Sequence, residues 1–299
     1  MSRTLFLGMG RMGAPMSALH AERFETIVFD VFPDAAERAA AASKAIAIAS
    51  LAPLPNAVTT VILMLPTSKH VEDTVLGEDG LLEALPDGAL VIDMSSSEPE
   101  STQRIADAAK ELAVHYVDAP VSGGIAKAQT GELSIMAGGS AAAVQAALPH
   151  LETMGSSIQH VGPAGAGHAA KALNNLVSAT NMAAATEAVT IASRFGIEPS
   201  TMVAVLNSAT GMSQATQVKF PNHILPGTFA SAFAYDLMLK DMRIALNMAD
   251  RVGFNPVTAA AFDALEAGRP LLGEHPDHTE IARVYEQRTG IEIHREDQE

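Results

Sequence analysis

Leu7-Gly8-Met9-Gly10-Arg11-Met12-Gly13-Ala14-Pro15-Met16 follows a short β-type run, Thr4-Leu5-Phe6-Leu7, and leads into a segment of helical character. Three glycines in the order G-x-G-x-x-G between a strand and a helix suit a tight turn and close approach of a pyrophosphate to the helix N-terminus. Alone, the pattern also fits a glycine-rich turn. The next β-type run, Thr26-Ile27-Val28-Phe29, ends at Asp30, about 20 residues on, where a carboxylate can accept hydrogen bonds from an adenosine ribose. That spacing reads Gly8, Gly10 and Gly13, with Met9, Arg11 and Met12 between them, as a dinucleotide cradle. Asp30 would repel the 2′-phosphate of NADP, and Val31 and Phe32 after it supply no arginine to offset the charge, so NAD is the expected cofactor. Arg11 either reaches a phosphate or is a solvated surface arginine. Met9, Met12 and Met16 read as packing at the strand–helix junction.

Outward from this cradle, β-type runs alternate with Ala-rich helical segments as far as Gly162: TTVILML, ALVIDM, VHYVDAP, LSIMAGG and SIQHVG follow the first two. This is the rhythm of a parallel sheet, and its nearly continuous apolar strands are those of a sheet covered on both faces. Ligands in such sheets bind beyond the carboxyl ends of the strands. Those ends carry Pro66-Thr67, Ser95-Ser96-Ser97 and Val121-Ser122-Gly123-Gly124, small polar residues or glycines each time. Ser97, ahead of Pro99 and Glu100, reads as a helix N-cap.

After Gly162 the rhythm changes. About 28 residues without proline end at Gly196, a natural C′ glycine, and predict one helix of about 40 Å. Its faces are apolar or small nearly all round, so burial among other helices or against a second subunit is expected. Further helices are expected at about 199–208, 235–251 and 257–267. The fold class is therefore an α/β Rossmann-type dinucleotide-binding domain over 1–162, then an all-α domain over 163–292 for substrate and oligomer contacts, joined by the long helix. A solvated tail is expected over 293–299.

Composition agrees with a folded protein: 299 residues, 48% hydrophobic and 18% charged. A net charge of −15 argues against nucleic acid and anionic membranes as partners. With no cysteine, disulfide and thiolate chemistry are excluded. No signal peptide or spanning segment is expected, and the chain reads as cytoplasmic.

A cofactor cradle of this kind implies hydride transfer, which also needs a group to carry a proton. His275 and His278 lack zinc-type spacing, and no metal is expected. Lys171, in GHAAKALNNL, lies one turn into the long helix, and Asn175 follows on the same face. A lysine on an apolar face is either a snorkelling side chain or a functional amine whose pKa burial would lower. Lys240, beside Asp241 in a helix with Leu237, Ile244, Ala245 and Met248 on its apolar side, leaves the same two readings open.

Four blocks together resemble the β-hydroxyacid dehydrogenases, which include 3-hydroxyisobutyrate dehydrogenase and tartronate semialdehyde reductase: FLGMGRMGAPM, DAPVSGGIAKAQTGELSIMAGG, GAGHAAKALNNL and LMLKDMRIA. The resemblance runs over nearly the whole chain. FDVFPDA, residues 29–35, is similar to the NAD-dependent hydroxyisobutyrate enzymes. The resemblance implies that Lys171 is the general acid/base and that Asn175 helps hold substrate. It implies that Ser122, Gly123 and Gly124 bind the substrate carboxylate. Leu65, Pro66 and Ser96 would touch the cofactor, as would Val31 beside Asp30, and Lys240 would close over it. A homodimer or homotetramer formed through the helical parts is implied as well. Many relatives have an arginine after the glycine in the segment equivalent to NSATGMSQATQVKF. Here Met212 follows Gly211, which removes a bidentate carboxylate contact. Relatives that reduce imines, or that only bind NAD, usually lack a lysine at position 171. The expected activity is interconversion of a small β-hydroxy acid, of the 3-hydroxyisobutyrate type, with its semialdehyde or keto acid. The alternatives are tartronate semialdehyde reduction and oxidation of a serine-like β-hydroxy amino acid.

Overall fold

The computed structural model describes residues 2–254 and 256–294. The chain divides into two compact units, residues 1–171 and 172–299, and the division falls inside the long helix Ala166–Arg194.

The first unit is built on one sheet. Its strands are β1 (Arg3–Leu7), β2 (Thr26–Phe29), β3 (Ile46–Ala47), β4 (Val58–Leu63), β5 (Leu90–Asp93), β6 (His115–Asp118), β7 (Val121–Ser122), β8 (Leu133–Gly138) and β9 (Gly155–Gly162). The order is β3-β2-β1-β4-β5-β6-β8-β7, with β9 beside β8. From β3 to β6 every pairing is parallel. Alternate residues of the central strands enter two separate cores: Phe6, Ile62 and Ile92 join one, and Leu5, Val61 and Val91 the other. That is why these strands read as unbroken apolar runs. The order reverses between β1 and β4, so the crevice beyond their carboxyl ends is a topological switch point.

The sheet is not parallel throughout, as the rhythm of the sequence suggested. β8 runs antiparallel to both β6 and β7. Only about ten residues, with the short helix Gly124–Thr130 among them, join β7 to β8, fewer than the dozen or more that a parallel crossover requires. Nor is Ser97 a helix N-cap. The cap of Pro99–Glu111 is Glu98, whose side chain makes no capping bond, and the Ser97 hydroxyl instead donates to Asp93 Oδ2 at 3.4 Å.

The second unit is helical. Pro199–Ser208, Tyr235–Arg251, Ala259–Gly268 and Ile281–Thr289 are α-helices, and Ala215–Ile224 is wound as a π-helix that the sequence did not announce. The long helix ends as expected: Gly196 takes φ +77°, and Ile197 N–H returns to Ala192 O at 3.1 Å. One side of this helix, with Leu176, Ala179, Met182 and Val189, packs on Phe220, Tyr235 and Met242. Its other side is not buried within the chain, contrary to one expectation, since Leu173, Val177 and Ile191 are exposed, as is Phe195 just past its end. On Tyr235–Arg251, Leu237 is exposed, whereas Asp241 is buried. The solvated tail does not begin at 293: Ile293 is buried, and its N–H and that of His294 donate to Glu286 Oε1 at 2.9 and 3.2 Å. The rest of that expected tail, 295–299, lies outside the described residues. Among the described residues no helix is long and apolar enough to cross a membrane.

Candidate active site

The cradle is shaped by what its glycines lack. Gly8 takes φ +93°, and a Cβ there would stand 2.2 Å from Met64 O. A Cβ on Gly13 would stand 1.8 Å from Gly8 O, so the helix Gly13–Ala21 seats directly on the end of β1. Before Gly10 the space is open for 4 Å. A bare backbone surface at a helix N-terminus fits a pyrophosphate. Asp30 closes the turn from the side: its Oδ2 accepts Met9 N–H at 2.6 Å and its Oδ1 accepts Phe32 N–H at 2.9 Å. A carboxylate has about four lone-pair sites, so acceptor capacity remains for ribose hydroxyls. Met9 is buried and its sulfur accepts the Ser17 hydroxyl at 3.4 Å, whereas Arg11, Val31 and Phe32 are exposed and Met12 is half-buried.

Leu65 N–H donates to Ser95 Oγ at 2.9 Å, which ties the loop after β4 to the loop after β5. Pro66 is exposed and Ser96 half-buried on those loops. Beneath them lies a buried polar network that composition and spacing did not reveal. Asp93 and Asp118 are partners across β5 and β6, and both are fully buried. Asp93 accepts Ser95 N–H at 3.0 Å and the Tyr116 hydroxyl at 3.1 Å. Burial, with the charges of Asp93 and Asp118, pushes the Tyr116 phenol well above its ordinary pKa, so it remains a donor. Asp118 accepts the N–H groups of Gly165 and His168, each at 2.9 Å, at the start of the long helix. Lys171, half-buried, follows on that helix. The only sequence signal for the network was an acid closing each of two buried strands, in VIDM and YVDAP. Ser122 ends β7, and Gly123 and Gly124 after it take φ +135° and +71°, conformations that favour glycine.

In the helical unit Asn175 is buried and donates from Nδ2 to Asp241 Oδ2 at 2.6 Å. Lys240 Nζ lies 3.6 Å from the other oxygen of Asp241. The sequence singled out Asp241 beside Lys240 but not its bond to Asn175; it lies with positions 244, 245 and 248 on the apolar side of its helix, where an acid is out of place. Four residues along one helix place Lys171 and Asn175 a turn apart on the same face. An amine and a braced amide there suit proton transfer to a hydroxyl held by hydrogen bonds. Met212 is exposed, and its sulfur accepts the Gln217 amide at 2.8 Å.

Two family models match the chain: the NAD binding domain of 6-phosphogluconate dehydrogenase over residues 4–162, and the NAD-binding domain of NADP-dependent 3-hydroxyisobutyrate dehydrogenase over residues 165–285. The 2-(hydroxymethyl)glutarate dehydrogenase of Eubacterium barkeri is 37% identical, with 96% of each chain covered. The 3-hydroxyisobutyrate dehydrogenase of Pseudomonas aeruginosa is 34% identical over 95% of this chain and 99% of its own. A solved structure of the Mycobacterium tuberculosis 3-hydroxyisobutyrate dehydrogenase with L-serine superposes with a TM-score of 0.87 at 31% identity, covering 97% of this chain and 99% of the other. With a Rossmann-type sheet, a glycine cradle and relatives that span its length, the chain belongs to the β-hydroxyacid dehydrogenase family and is a nicotinamide-dinucleotide-dependent hydroxyacid dehydrogenase.

Proposed function

We propose that the enzyme uses NAD to oxidise a compact β-hydroxy acid of the 3-hydroxyisobutyrate type to its semialdehyde, and runs the reverse reduction. The bound nicotinamide supplies the hydride acceptor or donor. Lys171 takes the hydroxyl proton as the amine and returns it as the ammonium. Asn175 holds the substrate, with Asp241 fixing its amide, and Ser122, Gly123 and Gly124 take the carboxylate through a hydroxyl and backbone N–H groups. Gly8 to Gly13 and Asp30 hold the cofactor, with Val31, Leu65, Pro66 and Ser96 against it and Lys240 closing over it. Residues 1–162 serve the cofactor and 163–292 the substrate and the contacts of a homodimer or homotetramer, in the cytoplasm. The observation that carries this reading is Lys171, half-buried one turn ahead of an amide braced by a buried carboxylate.

The 2-(hydroxymethyl)glutarate relative favours a second reading, in which the substrate is a diacid. Met212, exposed and uncharged, offers no guanidinium for a second carboxylate and so favours the monoacid. A spectrophotometric screen following NADH compares 3-hydroxyisobutyrate, L-serine and 2-(hydroxymethyl)glutarate. The monoacids should give the higher kcat/KM. A preference for the diacid selects the second reading, and no turnover of any of the three contradicts both.

A further inference from the structure

We propose that Asp118 and His168 form a positioning device that sets where the Lys171 amine stands. The proposal rests on the reading of Lys171 as the proton carrier. Asp118 takes the two N–H groups of Gly165 and His168 that begin the long helix, so a carboxylate from the end of β6 anchors the turn from which Lys171 projects. His168 then ties the same turn to the neighbouring loops. Its Nε2 lies 3.1 Å from Ser95 O, which can only accept, so Nε2 carries the proton, and its Nδ1 lies 2.7 Å from Thr102 Oγ1. Both His168 and Thr102 are buried, and Ser95 precedes Ser96 on the loop assigned to the cofactor.

Two glycines remove all slack from this joint. A Cβ on Gly167 would stand 2.3 Å from Met136 O and 2.8 Å from Asp118 Oδ2. A Cβ on Gly138 would stand 2.5 Å from Asp118 Oδ1 and 2.8 Å from Gly167 N. Backbone therefore packs on backbone and carboxylate with nothing between. Lys171 comes three residues after His168, on the same side of the helix. Misplacing a reacting group by about 1 Å can cost about 10²-fold in rate. A helix start pinned from β6, β8 and the Ser95 loop keeps the amine within that tolerance.

A double-mutant cycle tests this by single-turnover assay and NADH titration on the full chain. His168→Leu should lower the rate about 10- to 100-fold with NADH affinity within about twofold, and should lower it less than about threefold further in the Lys171→Ala background. His168→Gln, which keeps an N–H for Ser95 O, should lose only about three- to tenfold, and again almost nothing without Lys171. If His168→Leu does not fold, His168→Gln carries the cycle alone. Equal losses in the two backgrounds, or no loss with Lys171 present, overturn the positioning role. Full activity of Lys171→Ala would instead overturn the reading of Lys171 itself.

Discussion

Both oxygens of Asp30 accept backbone N–H groups, from Met9 and Phe32, so the carboxylate is held beside the cradle rather than free to swing away from a 2′-phosphate. NAD should therefore be preferred over NADP by about 10²-fold or more in kcat/KM, and assays with the two cofactors check it. Equal values would contradict the role of Asp30. Three other side chains, Thr26, His20 and His150, make a stability device from three hydrogen bonds. Thr26 Oγ donates to Phe24 O, so His20 Nδ1–H donates to Thr26 at 2.8 Å, and His20 Nε2 accepts from His150 Nδ1–H at 2.9 Å. With Nε2 accepting, His20 is neutral in this chain of bonds. Burial, reinforced by His150, lowers the pKa of His20 to about 3, and burial lowers that of His150. The unfolded chain gains a proton on His20 below about pH 6.5 and the native protein does not, so this contribution is full above that pH and is lost as the pH falls towards 3. The loss is about 1.4 kcal/mol per pH unit, near 2 kcal/mol by pH 5. Urea unfolding at pH 7 and pH 5 should show a clearly smaller fall for His20→Met than for the wild type. Parallel falls would show that His20 does not titrate in this way.

At the scale of elements, Gly10 and Gly13 separate cofactor recognition from packing. Gly13→Ala forces a Cβ against Gly8 O and should cost about 3 kcal/mol or more of stability. Gly10→Ala meets open space, so it should melt like the wild type yet bind NADH at least about tenfold more weakly through loss of close backbone approach. Thermal melts with fluorescence titration of NADH distinguish the two, and a destabilised Gly10→Ala with normal binding would refute the assignment. The strands that flank these glycines were legible because each is a short unbroken apolar run, Leu5-Phe6-Leu7 and Ile27-Val28-Phe29, ending at a turn residue, Gly8 or Asp30. β3 and β7 were not, since two-residue strands carry no periodicity, and the reversal of β8 depends on a connection whose length is evident only once β7 is known. The π-helix at Ala215–Ile224 was silent because composition does not distinguish hydrogen bonds to the fifth residue from those to the fourth. In the candidate site, the Gly8-to-Asp30 spacing is local and readable. The bonds of Asp118 to Gly165 and His168, and of Asn175 to Asp241, join residues 47 to 66 positions apart, which no local pattern encodes.

For the whole molecule, the long helix leaves an apolar stripe uncovered within the chain, with Val177 55% and Ile191 60% exposed, and Phe195 just past its end 80% exposed. Patches of this kind mark interaction surfaces, and a second copy of the chain is the proposed occupant. Sedimentation velocity should find a dimer or tetramer that Val177→Glu with Ile191→Glu shifts to monomer, and a monomeric wild type would refute the assignment. In the proposed mechanism one lysine carries the proton while separate residues hold the cofactor. Lys171→Met tests it most directly, with kcat for the best hydroxy acid measured beside an NADH fluorescence titration. Positioned acid–base groups contribute about 10²–10⁴-fold, so kcat should fall by at least about 10²-fold while the NADH Kd stays within about twofold. A variant that kept more than about a tenth of the wild-type kcat would contradict the account and assign the proton to another residue.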